Sequence, residues 1–315
     1  VLGLGIILGG FWSYETLGWG GFWGWDPVEN SSLMPWLLVV ALIHSTIIQR
    51  KTQGLVKTNF LLAIAAFVFV MLATFLTRSG ILGETSVHSF AEPGRAVYLI
   101  LLIGLILFAI LGLVLFFIRF KDINKYSQKI ELSVTSREFL LALGTLLIFL
   151  ITLIVLLGTT WPITSELMSG EKSSIDISFY NKWNLPLAII ILILNGISLF
   201  FQWKKTDLKI FSKQILIPFI ISIILTIVLA ILKIDRIDYI LLTFASIFSI
   251  ILNGIVAFRV LKKANIYKMG AMISHIGVAV LLFGVILSGG YSQSKVISLK
   301  MNEKAQAFGY NITYL

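Results

Sequence analysis

Long apolar runs separated by short polar or basic segments set the pattern of this chain. Runs near 1–17, 33–49, 58–77, 96–118, 138–160, 185–202, 214–232, 238–258 and 269–289 approach the roughly 20 residues a helix needs to cross a bilayer. Nine spans are therefore expected. Gly9 and Gly10 loosen the first. Ser32 is expected to cap the second, with Pro35 in its first turn, where a missing N–H costs little. The stretch 161–184 reads as a loop. Beyond residue 290 the sequence VISLKMNEKAQAFGYNITYL turns polar and strand-like and predicts the start of a small β-rich unit. The expected organisation is a tryptophan-rich region with flanking spans (1–95), a helix bundle (96–289) and a β-rich unit (290–315). Neither end falls at a natural boundary, so the chain reads as an internal piece of a longer protein.

Composition agrees with the pattern. Hydrophobic residues make up 58% of the 315 and charged residues 13%, against about a quarter charged in soluble domains. With a mean hydropathy of +0.96, the fold class expected is an all-α polytopic membrane protein. A net charge of +10 could suggest nucleic acid, but its distribution does not. One alternate set of connections holds Arg50, Lys51, Lys57, Arg119, Lys121, Lys125, Lys129, Arg137, Lys204, Lys205, Lys209, Lys213, Arg259, Lys262, Lys263 and Lys268, 16 of the 25 basic residues. By the positive-inside rule that set is cytoplasmic, so the charge directs topology and nucleic acid has no place in the argument. The segments around Trp23, 78–95, 161–184 and the tail then face outward. Cysteine is absent, which excludes disulfides and thiol chemistry from these residues. Any reacting thiols belong to a partner.

Candidate chemistry gathers in residues 19–32, WGGFWGWDPVENSS. Isolated tryptophans in a membrane protein are ordinarily interfacial belt residues. Here Trp19, Trp23 and Trp25 are interleaved with glycines and close on Asp26, Pro27 and Glu29. Indole faces with closely approaching backbone suit a large planar ligand. Only three histidines exist. His44 lies six residues before Arg50 and His275 seven after Lys268, so both sit at similar depth, where two imidazoles can clamp one iron. His88 lies in an outward segment between Arg78 and Arg95, which can pair with carboxylates. No HExxH, Cys ligand set or GxSxG elbow supports zinc or a serine nucleophile.

The tryptophan-rich segment resembles the WWD signature of the haem-handling family, with Phe22 and Gly24 where relatives often carry further aromatics. Taken in order, that segment, the His44 helix, FLTRSG, SVHSF and a distant SHIGVA helix resemble the CcmF family, the haem-lyase component of System I cytochrome c maturation. The resemblance implies several things. Incoming haem would rest on Trp19, Trp23 and Trp25, with Asp26 and Glu29 shaping the segment and His88 as outer axial ligand, its partner histidine lying upstream of Val1. A permanent haem b would sit between His44 and His275, the pairing that depth also suggests, and would keep the incoming iron reduced. Arg78 and Arg95 are candidate propionate contacts. The implied activity is holocytochrome c synthesis, in which apocytochrome c supplies both thiols. The implied partners are apocytochrome c, the haem chaperone CcmE and thiol-handling CcmH/CcmI-type subunits, in a bacterial inner membrane. Delivery proteins of the CcmC or CcsA kind share the tryptophan-rich segment. A lyase for nitrite reductase haem sites would look nearly identical.

Overall fold

In hydrocarbon the backbone must satisfy its own N–H and C=O groups, so the apolar runs fold as helices. A computed structural model describes all residues except 17–21, 84, 87, 89–92, 233, 235, 264–265, 292–294, 296 and 315. The helices are α1 (Leu2–Thr16), α2 (Pro27–Thr52), α3 (Val56–Arg78), α4 (Arg95–Ile118), the short α5 (Phe120–Tyr126), α6 (Arg137–Ser169), α7 (Ile177–Ile197), α8 (Leu208–Leu232), α9 (Ile237–Leu261) and α10 (Gly270–Tyr291). A 3-10 turn, Ser198–Phe200, follows α7. Among the described residues eight helices have the length and hydropathy to cross a membrane, one fewer than the nine expected. The ninth expected run is α1, helical over the 15 residues Leu2–Thr16.

Two helix groups meet along one seam. In the first, α2 packs against α3 and α6, and α3 carries α4; in the second, α9 gathers α7, α8 and α10; α6 against α7 joins them. Met34, Phe75, Leu76, Leu82 and Val155 form one core cluster, Leu38, Ala41, Leu62, Ala66 and Ile148 a second. Leu192, Leu242, Ala245, Ala279 and Ile286 fill the other group. Small residues let backbones close up, as membrane helices require. A Cβ on Gly196 would stand 3.3 Å from Ser249 Cα and 2.9 Å from Leu252 Cδ1. By contrast α4 and α8 expose much of their apolar surface, as lipid-facing helices do.

Local chemistry moves three expected boundaries. The second span begins at Pro27, not near 33, because Asp26 caps it and Pro27 takes a first-turn position. Ser32 does not cap; its hydroxyl donates to Glu29 O at 2.8 Å, and Pro35 lies inside the helix. The expected loop 161–184 is mostly helix. α6 runs to Ser169, ends on Gly170 in the left-handed region (φ 76°), and α7 starts at Ile177 with Asp176 as its cap. At 33 residues, α6 is about 50 Å long.

The two ends of the bundle differ. At one, Arg50 and Lys51 lie in the last turn of α2 and Arg259 in that of α9, where cations complement the helix dipole. There the α2–α3 and α5–α6 connections meet: Gln128 N donates to Gln53 O at 2.9 Å, and Thr52 Oγ1 donates to the buried Glu138 Oε1. This is the basic end. The tryptophan segment lies at the other. In the tail, β1 (Lys304–Ala307) and β2 (Tyr310–Thr313) pair antiparallel, Lys304 opposite Thr313. Phe308 (φ 51°) and Gly309 (φ 80°) make the tight turn, both at positive φ as the twist of a hairpin favours.

Candidate functional site

The start of α2 organises the tryptophan end. Asp26 Oδ1 accepts from Val28 N at 2.8 Å, and Glu29 Oε2 accepts from Asp26 N at 3.3 Å, a reciprocal capping box. Glu29 Oε2 also accepts from Gly24 N at 2.9 Å, and Asn30 Nδ2 donates to Trp25 O at 3.0 Å. These bonds hold Trp25 at φ 56°. Its indole lies flat on Tyr180, centroids 4.9 Å apart and planes 5° apart, and its Nε1 donates to Asn181 Oδ1 at 3.0 Å. Trp23 meets Trp25 edge-on at 6.2 Å. Behind them Phe22 rests on α1 at Gly10, where a Cβ would stand 2.9 Å from Phe22 O. Trp19 lies outside the described residues.

Asp26 also draws the α3–α4 connection onto this segment. Ser86 Oγ donates to Asp26 Oδ1 at 2.7 Å, His88 N donates to Ser86 Oγ at 3.2 Å, and His88 Nδ1 lies 3.4 Å from Asp26 Oδ1. A carboxylate at Nδ1 favours the tautomer whose Nε2 lone pair is available to a metal. Arg78, in the last turn of α3, and Arg95, first in α4, are exposed at this same end. Ser79, Gly80, Pro93, Gly94, Arg95 and Tyr98 line a cleft there.

The other two histidines meet inside the bundle, across the seam. The rings of His44 on α2 and His275 on α10 lie 6.1 Å apart between centroids and 14° from parallel. His44 Nδ1 lies 2.8 Å from Val40 O. A carbonyl only accepts, so Nδ1 carries the hydrogen and Nε2 keeps its lone pair. His275 Nδ1 is buried without a hydrogen-bond partner among the described residues. Two imidazole nitrogens each about 2 Å from one metal place the ring centroids about 6 Å apart. The separation, the fixed tautomer and the orphaned nitrogen fit a bis-histidine metal site.

Of the residues singled out in the sequence, Trp23, Trp25, Asp26, Glu29 and His88 are brought together, Arg78 and Arg95 stand at the same end, and His44 and His275 pair separately. Sequence reading missed Ser86, Tyr180, Asn181 and Asn30. Ser86 stands two residues before His88, a detectable signal. Tyr180 and Asn181 are about 155 positions from Trp25, and periodicity carries no trace of such contacts.

Residues 1–82 match the family model described as Cytochrome C assembly protein. Over 99% of its length the chain is 34% identical to the cytochrome c-type biogenesis protein CcmF of Pseudomonas fluorescens, covering 48% of that protein. It is 33% identical, again over 99%, to the cytochrome c-type biogenesis protein NrfE of Haemophilus influenzae, covering 49% of it. A solved structure, Cytochrome c Heme Lyase CcmF, shares the fold with a TM-score of 0.66 at 24% identity, over 92% of this chain and 44% of that one. The chain thus spans about half the length of the curated relatives it matches.

Proposed function

The chain belongs to the CcmF family of cytochrome c biogenesis proteins, and from that premise we propose that it forms the haem-positioning part of a cytochrome c haem lyase. The observation that carries this reading is the convergence on Asp26. One carboxylate caps α2, fixes the base of the tryptophan segment and faces His88. A flat aromatic surface and an imidazole held beside it suit a planar substrate with a metal at its centre.

In the proposed reaction two cysteine thiols of apocytochrome c add across the two haem vinyl groups. Each addition forms one C–S bond and moves the thiol hydrogen to the vinyl group, with no net oxidation. Substrate and client supply the reacting atoms; this chain supplies placement. Trp23 and Trp25, with Trp19, bear the substrate face. His88 binds its iron, Asp26 orients His88, and Glu29 holds the backbone of the segment. Arg78 and Arg95, exposed at the same end, would meet the substrate carboxylates. His44 and His275 would hold a resident haem b, which would supply electrons to keep the incoming iron reduced.

In this proposal the tryptophan end faces the periplasm and the basic end the cytoplasm of a bacterial inner membrane. Residues 1–95 act as the haem-bearing region, 96–289 as the bundle and 290–315 as the start of an outer β-rich unit. Apocytochrome c, a haem donor of the CcmE kind and thiol-handling CcmH/CcmI-type subunits are the proposed partners.

The test uses cytochrome c yield in cells that depend on this protein. Trp23→Ala combined with Trp25→Ala should lower holocytochrome c at least about tenfold, the scale at which lost positioning is felt, while the protein still accumulates in the membrane. His88→Ala should do the same and recover in part with added imidazole. Normal yield from both variants would end the proposal.

A further inference from the structure

Arg137 opens α6 at the basic end, on the seam between the two helix groups. Its backbone N–H donates to Gln202 O at 2.8 Å, in the segment that follows α7. From the same end of α7, Asn195 Nδ2 reaches the carbonyl of His275 at 3.4 Å and Asn195 Oδ1 accepts from Asn253 Nδ2 at 3.1 Å. The neighbouring Glu138 faces the other way, into α2, through Thr52. Arg137 thus sits at the basic end of the seam, tied by its backbone to the segment after α7 and one residue from the Glu138–Thr52 contact with α2, the helix that carries His44. Thr52 lies about 12 Å below His44 along α2, and His275 about 8 Å into α10.

This cation is incompletely satisfied. The side chain is half-buried, and its Nε is buried with no hydrogen-bond partner among the described residues. Among the described residues no carboxylate forms an ion pair with it. A guanidinium in such a place is costly without an anion. The chain's own described atoms do not provide one.

We propose that Arg137 binds a propionate carboxylate of the haem held between His44 and His275. The inference rests on the resident-haem reading above and adds a residue that reading does not use. The planar five-donor fork of arginine matches a carboxylate with two parallel hydrogen bonds. The cation lies on the basic-end side of the ring pair, so the resident haem would point a propionate toward that end. A lipid phosphate offers similar anion chemistry from the bilayer, and the test separates the two.

The chain is purified in lipid nanodiscs as wild type, Arg137→Lys and Arg137→Gln. Each is loaded with haem or with haem dimethyl ester, whose propionates are capped. Wild type should retain haem about tenfold better than the ester, the usual scale for a residue supporting a metal site. Arg137→Gln should retain the two equally, and Arg137→Lys should fall between. The midpoint potential with haem should drop in Arg137→Gln, because a nearby positive charge disfavours the oxidised iron. It should also become pH-dependent as the released propionate titrates.

Undiminished discrimination in Arg137→Gln, with an unchanged potential, overturns the inference. Wild type that retains haem and its dimethyl ester equally also overturns it, and leaves the guanidinium to a lipid phosphate. His275→Ala is the control: a surviving low-spin signal there overturns the histidine pairing itself and this inference with it.

Discussion

Trp25 holds a left-handed backbone angle, φ 56°, which costs a side-chain-bearing residue about 1–2 kcal/mol. Hydrogen bonds from Asn30 to its carbonyl and between Gly24 and Glu29 hold the arrangement, and the strain orients the indole onto Tyr180. Such outliers concentrate where a side chain must be aimed. The seam histidines offer a cleaner test at the same scale. Their rings already stand 6.1 Å apart, so His44→Ala and His275→Ala should each abolish the low-spin b-type signal in a reduced-minus-oxidised spectrum. His88→Ala should leave that signal intact. A signal indifferent to His275→Ala would mean that the three histidines serve different irons from those assigned here. The shared depth of the two rings is legible in the sequence, because both histidines are counted inward from basic clusters. Tyr180 and Asn181 are not: their side chains look like ordinary interfacial residues until α7, packed on α6, brings them to Trp25.

Among the elements, helix centres are legible in the sequence and helix ends are not. Apolar runs report only the part of a helix that lipid covers. α6 and α7 continue past that layer with Thr, Ser, Glu and Lys, residues equally at home on a wet helix or in a loop. Asp26-Pro27 reads locally as a turn, yet it is the capped first turn of α2. Packing between α6 and α7 gives a prediction at this level. A Cβ on Gly158 would stand 2.5 Å from the Tyr180 hydroxyl oxygen and 2.6 Å from its ring. Gly158→Val should push Tyr180 out of the Trp25 stack, at the roughly 1–3 kcal/mol typical of overpacking. Tryptophan fluorescence should shift and cytochrome c yield should fall, with the b-type spectrum kept. An unshifted emission with normal yield would show that the stack tolerates the displacement.

Across the whole molecule, two helix groups share one pair of rings, His44 from the first and His275 from the second. Separating the chain in the 170–176 connection should therefore divide the site without destroying either group, since packed membrane helices associate without covalent continuity. Residues 1–171 and 172–315, expressed apart, should each lack the low-spin signal; co-expressed, they should regain it. A signal from either half alone would refute a shared site. The length of α6 bears on the molecule's outline. From Glu138, at the basic end, to Gly158, beside the tryptophan stack, is about 30 Å, the thickness of the hydrocarbon layer. The helix then climbs roughly 16 Å further to Ser169. Trp161 Nε1 to Ser173 Oγ at 3.1 Å, Ser173 N to Ser165 Oγ at 3.0 Å, and Lys172 Nζ to Glu166 Oε2 at 3.8 Å brace the tip. In the proposed lyase a braced tip of that height stands on the α6 flank of the tryptophan stack, so a bulky client would reach the stack from a side other than that one.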